Sequence, residues 1–593
     1  MFCPECGTRI DDEYALFCEE CGTRVRDEVL EMPSVEPQAQ NMEPDEEPMD
    51  GKNDFVSADD AVHGLILTNL SLLSAKLNVA VSSLEEVLQQ YVEGKRKWGI
   101  SWQLIDAGNY TFKKRNLLGM GRTVHLTATD KPWAYMEILM DVHQHELKHG
   151  LPESQYLFII GGDDIIPMPC VRHYFPAADS DKTIDTDLLY AYPYGEDMLE
   201  ALENQQIFRY EQLFMVGRLP IGEDTTGDDL MRYLLRSLKH TEGIPVTGAY
   251  GQCDPHWKNV SVRVATDLIN CNLLPDLEGQ IGPEYYYHRM ILSPMVIDKT
   301  VDQVLDVDAS LLYFNLHGSD ALQASGYFGE VPVHQGAYQV IRPEHLTTLE
   351  LPNIVVTEAC YGARFIGLDK AHSMLLAAMS NETLAFLGSS RVAWGSVDPE
   401  QGATPQNVGV GLADVLAYTF MNSLLQGYTV GQALFAARCA VFKARPGDLK
   451  TALTLVEFNL FGDPTLAFSI PGEKKLAPES LKKSNLIGTE QQLTCKVETM
   501  KSAGKTEQSI LSMVRSAVDA NIMQIHQSIA EHLYAHYGIE PRPADVVLAM
   551  RYGDGREEMQ FHYDNSPADS NVYSQYMVTT TNKGDIVDVH ASR

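Results

Sequence analysis

Two short apolar runs, each leading to a chemically reactive side chain, constrain this chain more than any other feature. In the string from Leu311 to Ser319 the apolar residues lead to His317 and Gly318, and in the string from Asn353 to Gly362 they lead to Cys360. Runs of this length predict buried strands, and the carboxyl ends of neighbouring parallel strands meet at one edge of an open α/β sheet. The sequence therefore predicts an imidazole beside a thiol, which is the minimum equipment for a cysteine nucleophile.

The rest of the region between about residues 60 and 470 alternates between strand-like and helix-like segments. Alternation of this kind predicts a mostly parallel sheet with helices on both faces, so the expected fold class is α/β. The predicted strands are 64–68, 102–105, the run 155–164 that ends at a turn, 249–253 and 383–388. The predicted helices are 73–91, 133–149, 260–270, 371–379, 409–425 and 430–443.

Composition narrows the classes of function. The chain has 593 residues and a formal net charge of −35. Nucleic-acid binding needs a basic surface, so this charge argues against nucleic acid as the main partner. It favours basic partners or substrates, although an acidic surface also serves simply to keep a protein soluble. We expect no membrane span, because no apolar run approaches 18 residues, and a cytoplasmic location, because the first residues lack the pattern of a signal peptide.

The first 25 residues contain two Cys-x-x-Cys pairs, formed by Cys3 with Cys6 and by Cys18 with Cys21. Each pair can present two thiolates to one metal, and four thiolates suit tetrahedral Zn²⁺. The spacing resembles that of the small zinc ribbons at the starts of many bacterial proteins, so we expect one structural zinc. A redox role for the two pairs is the alternative.

Composition also predicts two linkers and a further domain. Residues 26–58 are acidic and rich in proline, and residues 471–507 are polar and rich in lysine, so neither segment can bury enough apolar surface to fold. Residues 508–593 combine a helical stretch with short alternating segments, and Gly553 to Gly555 is typical of a hairpin turn. We expect a small accessory α+β domain there.

Several motifs together resemble the caspase-like cysteine peptidases of clan CD, and more narrowly the gingipain-like branch. His-Gly-Ser after one strand and Glu-Ala-Cys-x-Gly after the next look like the catalytic pair of that clan. Further blocks, in the order that the branch has them, lie at 156–167, 187–190, 215–220, 388–394 and 459–466. The resemblance implies a caspase-like three-layer αβα sandwich in two subdomains, 59–245 and 246–470.

The resemblance also implies roles for the residues at the sheet edge. Cys360 would attack the scissile carbonyl as a thiolate, and His317 would act as general acid and base. The backbone N–H groups of Gly318 and Cys360 would hold the oxyanion. No third catalytic residue is implied.

Substrate specificity is left open between two readings of the resemblance. One wall of the pocket for the P1 side chain would be the segment with Ser390, Arg391 and Trp394, and another would follow Cys253. If Asp254 lines the pocket, a basic P1 residue is expected. If Lys258 or Arg391 lines it, an acidic P1 residue is expected.

The sequence thus predicts a cytosolic cysteine endopeptidase that cleaves protein substrates. Its flanking modules are expected to restrain it or to recruit a regulatory protein partner, and self-processing at a linker is expected. Gingipains are secreted, and the zinc ribbon and C-terminal domain have no counterpart in the resemblance. The alternative is a caspase-fold scaffold, or a zinc-ribbon adaptor, that acts by protein–protein interaction without proteolysis.

Overall fold

A computed structural model describes most of the chain beyond residue 61. The described residues are 62–592, apart from 116–120, 126–130, 173–181, 196, 204–206, 208–209, 298–299, 303–308, 322–324, 332–335, 399–401, 445–448, 471–495, 502–518, 538–545, 552–556 and 565–574. The predicted zinc ribbon, the predicted 26–58 linker and the predicted Gly553–Gly555 turn therefore lie outside the described residues.

The described residues form thirteen α-helices and twenty-eight strands. The helices are α1 (Leu70–Leu77), α2 (Val81–Arg96), α3 (Pro132–His149), α4 (Asp197–Glu203), α5 (Gly227–Lys239), α6 (Lys258–Val264), α7 (Thr266–Asn270), α8 (Pro343–Leu346), α9 (Met374–Met379), α10 (Ala413–Leu425), α11 (Val430–Ala444), α12 (Leu449–Glu457) and α13 (Asp519–Tyr537). The strands are β1 (Val62–Thr68), β2 (Ile100–Asp106), β3 (Thr111–Arg115), β4 (Gly121–His125), β5 (Tyr156–Ile160), β6 (Cys170–Arg172), β7 (Thr183–Asp185), β8 (Met215–Leu219), β9 (Ile244–Pro245), β10 (Ala249–Cys253), β11 (Tyr286–Tyr287), β12 (Met290–Leu292), β13 (Met295–Ile297), β14 (Thr300–Asp302), β15 (Leu311–Asn315), β16 (His317–Gly318), β17 (Tyr327–Val331), β18 (Gly336–Ile341), β19 (Asn353–Thr357), β20 (Thr383–Ser389), β21 (Trp394–Ser396), β22 (Phe458–Gly462), β23 (Phe468–Ser469), β24 (Lys496–Lys501), β25 (Val546–Arg551), β26 (Glu557–Asp564), β27 (Gln575–Thr581) and β28 (Ile586–Ser592).

Eleven strands form one central sheet in the order β11-β12-β10-β15-β19-β20-β22-β8-β5-β1-β2. Its neighbours pair in parallel except at β11–β12 and β20–β22. Strands β5, β8, β10, β15 and β19 are buried along their whole length. Strands buried in this way need cover on both faces of the sheet, as expected for a parallel α/β arrangement. The predicted α/β fold with a large, mostly parallel sheet is confirmed.

Two predicted helices are each divided in the structure. The predicted 73–91 helix is α1 and α2, because Asn78 adopts a left-handed conformation (φ 52°) that ends α1. The predicted 260–270 helix is α6 and α7, which meet at Ala265. Apolar periodicity continues across both breaks, so periodicity alone does not reveal them.

Arg218 on β8 is the centre of a buried hydrogen-bond network. Its guanidinium donates to both carboxylate oxygens of Asp187, at 2.8 and 2.6 Å, and to the carbonyl oxygens of Gly161 and Ile166. The backbone N–H of Asp187 donates to Asn459 Oδ1 at 2.8 Å. Four of the sequence blocks that carry the resemblance thus converge on one network, because a buried guanidinium must have its N–H groups paired.

Asp463, immediately after β22, anchors a second buried network. Its Oδ2 accepts from Lys95 Nζ at 2.6 Å, from the hydroxyl of Tyr91 at 2.6 Å and from Ser237 Oγ at 2.8 Å, while Oδ1 accepts from Thr465. Lys95 and Asp463 are both fully buried. The network ties the turn after β22 to helices α2 and α5.

The C-terminal region contributes a six-stranded sheet in the order β21-β28-β27-β26-β25-β24. Helix α13 packs on one face of this sheet through a separate apolar cluster that includes Ile525, Ile529, Phe561 and Val578. Its first strand, β21, comes from the 388–394 block and its continuation rather than from the C-terminal region. No helix among the described residues is both long and apolar enough to cross a membrane.

Candidate active site

The two predicted reactive residues lie at the carboxyl ends of adjacent strands. Strands β15 and β19 pair in parallel, with Phe314 opposite Thr357. A Cβ atom added to Gly318 would lie 1.7 Å from the carbonyl oxygen of Cys360. The loop that carries His317 therefore packs directly against the backbone of Cys360, and only glycine permits this approach.

Cys360 lies in a tight turn. The residue after it, Tyr361, has a positive φ of 54°, which is uncommon for a side chain of this size. The N–H of Tyr361 donates to the carbonyl of Arg391 at 2.8 Å, and the thiol of Cys360 lies 3.7 Å from the carbonyl oxygen of Ala393. The thiol is thus fixed beside the segment that precedes β21, and Cys360 is only 1% exposed.

The imidazole of His317 has an aromatic and an acidic neighbour. The ring of Trp257 meets it edge-on, with 4.5 Å between ring centroids. Nε2 of His317 lies 3.7 Å from a carboxylate oxygen of Glu330. That distance is too long for a hydrogen bond, but it allows a favourable charge interaction when the imidazole is protonated.

Asp254 lies close enough to His317 for a charge interaction and is fully buried. Its carboxylate accepts from the backbone N–H and the Nδ1 of His256, both at 2.8 Å, and from the backbone N–H of Glu330 at 2.6 Å. Burial by itself would raise the pKa of Asp254, but the charges of His256 and His317 and these hydrogen bonds lower the pKa below its ordinary value. The carboxylate is therefore held in its charged form near the predicted base.

His256 is affected in the opposite sense. Burial lowers its pKa, but the neighbouring carboxylate of Asp254 more than offsets this and raises the pKa to about 9. The site thus pairs the buried carboxylate of Asp254 with the imidazolium of His256, two residues further along the chain.

The residues predicted to line the specificity pocket separate in the structure. Trp394 is buried in the same apolar cluster as Cys360, whereas Asp254 lies on the His317 side. Ser390 donates to the carbonyl of Asp185, and Arg391 donates to the Asp185 carboxylate at 2.6 Å. The Ser390 and Arg391 side chains therefore contact strand β7. The ammonium of Lys258, the other predicted candidate, lies over the ring of Tyr287.

Sequence reasoning missed Glu330 and the contribution of Trp257 to the site. Glu330 lies on β17, in a segment with no motif, and reaches His317 only because β16 and β17 pair in antiparallel fashion. The sequence did contain a signal for Trp257. Asp254 and Pro255 are typical of the start of a helical turn, and the turn Pro255–Trp257 places Trp257 beside the strand ends.

The four cysteines predicted to bind zinc lie outside the described residues. Among the residues that the structure describes, no group of three or more His, Cys, Asp or Glu side chains could hold a metal ion.

Comparison with known proteins gave one family match. The model described as "Peptidase family C25" matches residues 71–469. None of the curated proteins matches the chain.

Solved structures to which the chain is similar include the following three. A structure titled "Structure of Protease" is 11% identical, with a TM-score of 0.43, and the match covers 90% of this chain and 97% of that one. The Arg-specific cysteine proteinase gingipain R is 13% identical, with a TM-score of 0.41 and coverage of 91% and 92%. The Saccharomyces cerevisiae separase–securin complex is 11% identical, with a TM-score of 0.28 and coverage of 68% and 23%.

Proposed function

Because the chain belongs to peptidase family C25 and is a cysteine peptidase, we propose that Cys360 and His317 form its catalytic dyad. The observation that carries this proposal is the backbone contact between Gly318 and Cys360 at the ends of two paired parallel strands. This contact supports a shared groove in which a thiol and an imidazole face one substrate.

In the proposed reaction, the Cys360 thiolate attacks the scissile carbonyl carbon and forms an acyl-enzyme. His317 donates a proton to the leaving amine and then takes a proton from the water that hydrolyses the acyl-enzyme. The N–H groups of Gly318 and Cys360 hold the oxyanion in both steps. The carboxylates of Asp254 and Glu330 stabilise the protonated form of His317, because both lie close enough for a charge interaction.

We propose that the substrates are proteins and that they bind at the segment around Trp394. Trp394 is the predicted pocket residue that lies in one cluster with Cys360. Profiling of a peptide library by its P1 residue distinguishes a basic preference, set by Asp254, from an acidic preference, set by Lys258 or Arg391.

Replacement of Cys360 tests the proposed dyad. We expect Cys360→Ala to abolish hydrolysis of library peptides, whereas Cys271→Ala, which changes an exposed cysteine far along the chain, leaves it unchanged. Melting temperatures of the two variants confirm that both fold. Unaltered hydrolysis by Cys360→Ala would refute the assignment of the nucleophile.

For the N-terminal region we propose a structural zinc ribbon that recruits a regulatory protein partner to a cytoplasmic enzyme. Cys3, Cys6, Cys18 and Cys21 supply four thiolates, which stay reduced in the cytoplasm. We expect close to one zinc per chain by metal analysis, lost on replacement of Cys3 and Cys6 with serine. A purified chain without zinc in which those two cysteines are inert to thiol reagents would contradict the proposal.

A further inference from the structure

The C-terminal strand β28 pairs with the segment that lies beside Cys360. Ser592, Ala591 and His590 stand opposite Trp394, Gly395 and Ser396 in an antiparallel ladder. One backbone edge of β21 is therefore hydrogen-bonded to a strand of the C-terminal domain. An edge that pairs with a strand of its own chain cannot at the same time pair with an extended peptide.

The neighbouring strand β27 adds a side chain to the same place. Met577 is fully buried and belongs to one apolar cluster with Cys360, Tyr361, Trp394 and Leu412. This cluster is separate from the main core and from the cluster under α13. The C-terminal sheet thus closes over the reactive thiol, consistent with the 1% exposure of Cys360.

Hydrogen bonds from Lys450, which we call the polar clasp, hold the same face of the sheet. Lys450 on α12 is fully buried, and its ammonium donates to Thr579 Oγ1 and Asp588 Oδ1, both at 2.9 Å, and to His590 Nδ1 at 3.2 Å. All three acceptors belong to β27 and β28. The clasp therefore joins the peptidase to the sheet directly beside β21.

The interface also buries polar atoms that have no hydrogen-bond partner among the described residues. They are both amide atoms of Gln560, Trp394 Nε1 and Thr454 Oγ1. Gln560 shares a sheet face with Thr579, its cross-strand neighbour, and Thr454 lies one helical turn from Lys450. Unpaired buried polar atoms oppose closure, since they are hydrated when the interface opens.

The other face of the sheet is different, because it packs on α13 through apolar side chains. The C-terminal domain consequently keeps a core of its own, whereas its contact with the peptidase is mixed and partly unsatisfied. An interface of this character is typical of domains that move relative to one another.

We propose that the C-terminal sheet is an autoinhibitory lid that excludes peptide substrates from Cys360. The proposal rests on the proposed function in so far as Cys360 is the nucleophile. When the lid leaves, the edge of β21 becomes free to pair with an extended segment of a substrate protein, in place of β28. A partner that binds the C-terminal sheet in the open state would activate the enzyme by population shift.

Substitutions that weaken the lid test this proposal in the full chain. Met577→Glu puts a charge into the apolar cluster, and Lys450→Met removes the clasp. The matched controls are Val587→Glu, at an exposed position of β28, and Lys370→Met, which removes an ion pair with Asp229 elsewhere. Two rates are measured for each variant: alkylation of Cys360 by iodoacetamide, followed by mass spectrometry, and hydrolysis of library peptides.

We expect Met577→Glu and Lys450→Met to raise both rates about 10- to 100-fold, because each loses interactions of the size of a charged hydrogen bond. The controls stay within about twofold of the parent chain. A third variant, Gln560→Leu, replaces the unpaired amide with an apolar group of similar size and is expected to lower both rates. Unfolding of the variant would expose Cys360 and speed up its alkylation, so it cannot account for a decrease in the alkylation rate.

Suppose that the parent chain, Met577→Glu and Lys450→Met all hydrolyse the library peptides. If both rates of the two variants then stay within twofold of the parent's rates, the lid is refuted. Faster alkylation without any hydrolysis would instead support the lid and contradict the proposed peptidase dyad. An increased alkylation rate in Gln560→Leu would overturn the argument from the unpaired amide.

Discussion

Replacing Gly318 with alanine is expected to lower kcat/KM by about 100-fold or more while the fold survives. A Cβ at this position would lie 1.7 Å from the carbonyl oxygen of Cys360 and 2.7 Å from its carbonyl carbon. Non-bonded heavy atoms are most stable about 3.5 Å apart, so the two loops must separate by more than about 1 Å. Misplacement of reacting groups by about 1 Å costs about 100-fold in rate.

The stability of Gly318→Ala should change much less than its rate. Overpacking costs about 1–3 kcal/mol, and a folded domain has about 5–15 kcal/mol to lose. The assay compares kcat/KM on one library peptide, the melting temperature and the alkylation rate of Cys360. Gly409→Ala is the control, because a Cβ at that position meets no atom within 4 Å. Full activity of Gly318→Ala would refute the view that contact between these loops positions the dyad.

Two further predictions concern buried charges. Lys95→Met should lower the free energy of unfolding, measured in urea, by about 3–5 kcal/mol, because it leaves Asp463 charged and buried. Lys97→Met, at an exposed neighbouring position, should have little effect. Equal stabilities of the two variants would contradict this prediction. The pKa of His256 is raised from 6.5 to about 9 by Asp254, so its contribution to stability is fully present below pH 6.5 and is lost as the pH rises to about 9. The melting temperatures of the parent chain and His256→Gln should therefore converge between pH 6.5 and 10, and a constant difference would show that the pair does not stabilise the fold.

The sequence predicted the central sheet well because most of its strands are continuous apolar runs. The strands predicted within 311–319 and 353–362 are β15 (Leu311–Asn315) and β19 (Asn353–Thr357), and the parallel pairing of neighbours places their ends together without further information. Helix α10 lies within its predicted segment and α11 extends one residue beyond its own, because their apolar residues recur with a helical period. The assignment of catalytic roles to His317 and Cys360 stays a prediction.

Contacts between distant segments were beyond sequence reasoning. Strand β28 was not predicted, and its pairing with Trp394 depends on two segments nearly 200 residues apart whose side-chain patterns carry no register signal. Glu330 was missed for a different reason, since its approach to His317 comes from the antiparallel pairing of β16 with β17, which no sequence motif marks. The pattern of apolar residues determines which face of an element is buried, but not which element covers it.

Strand β22 has a consequence for synthesis of the enzyme. It lies between β20 and β8, although it is the last strand of the central sheet to leave the ribosome. At about 5–20 residues per second, the nascent chain waits on the order of 10–50 s after β8 emerges before β22 can fill the gap. Until then β8 has an open edge, and the two halves of the sheet have no strand between them. The nascent chain therefore cannot complete the central sheet until nearly all of the C25 region has left the ribosome, which delays any cleavage until then.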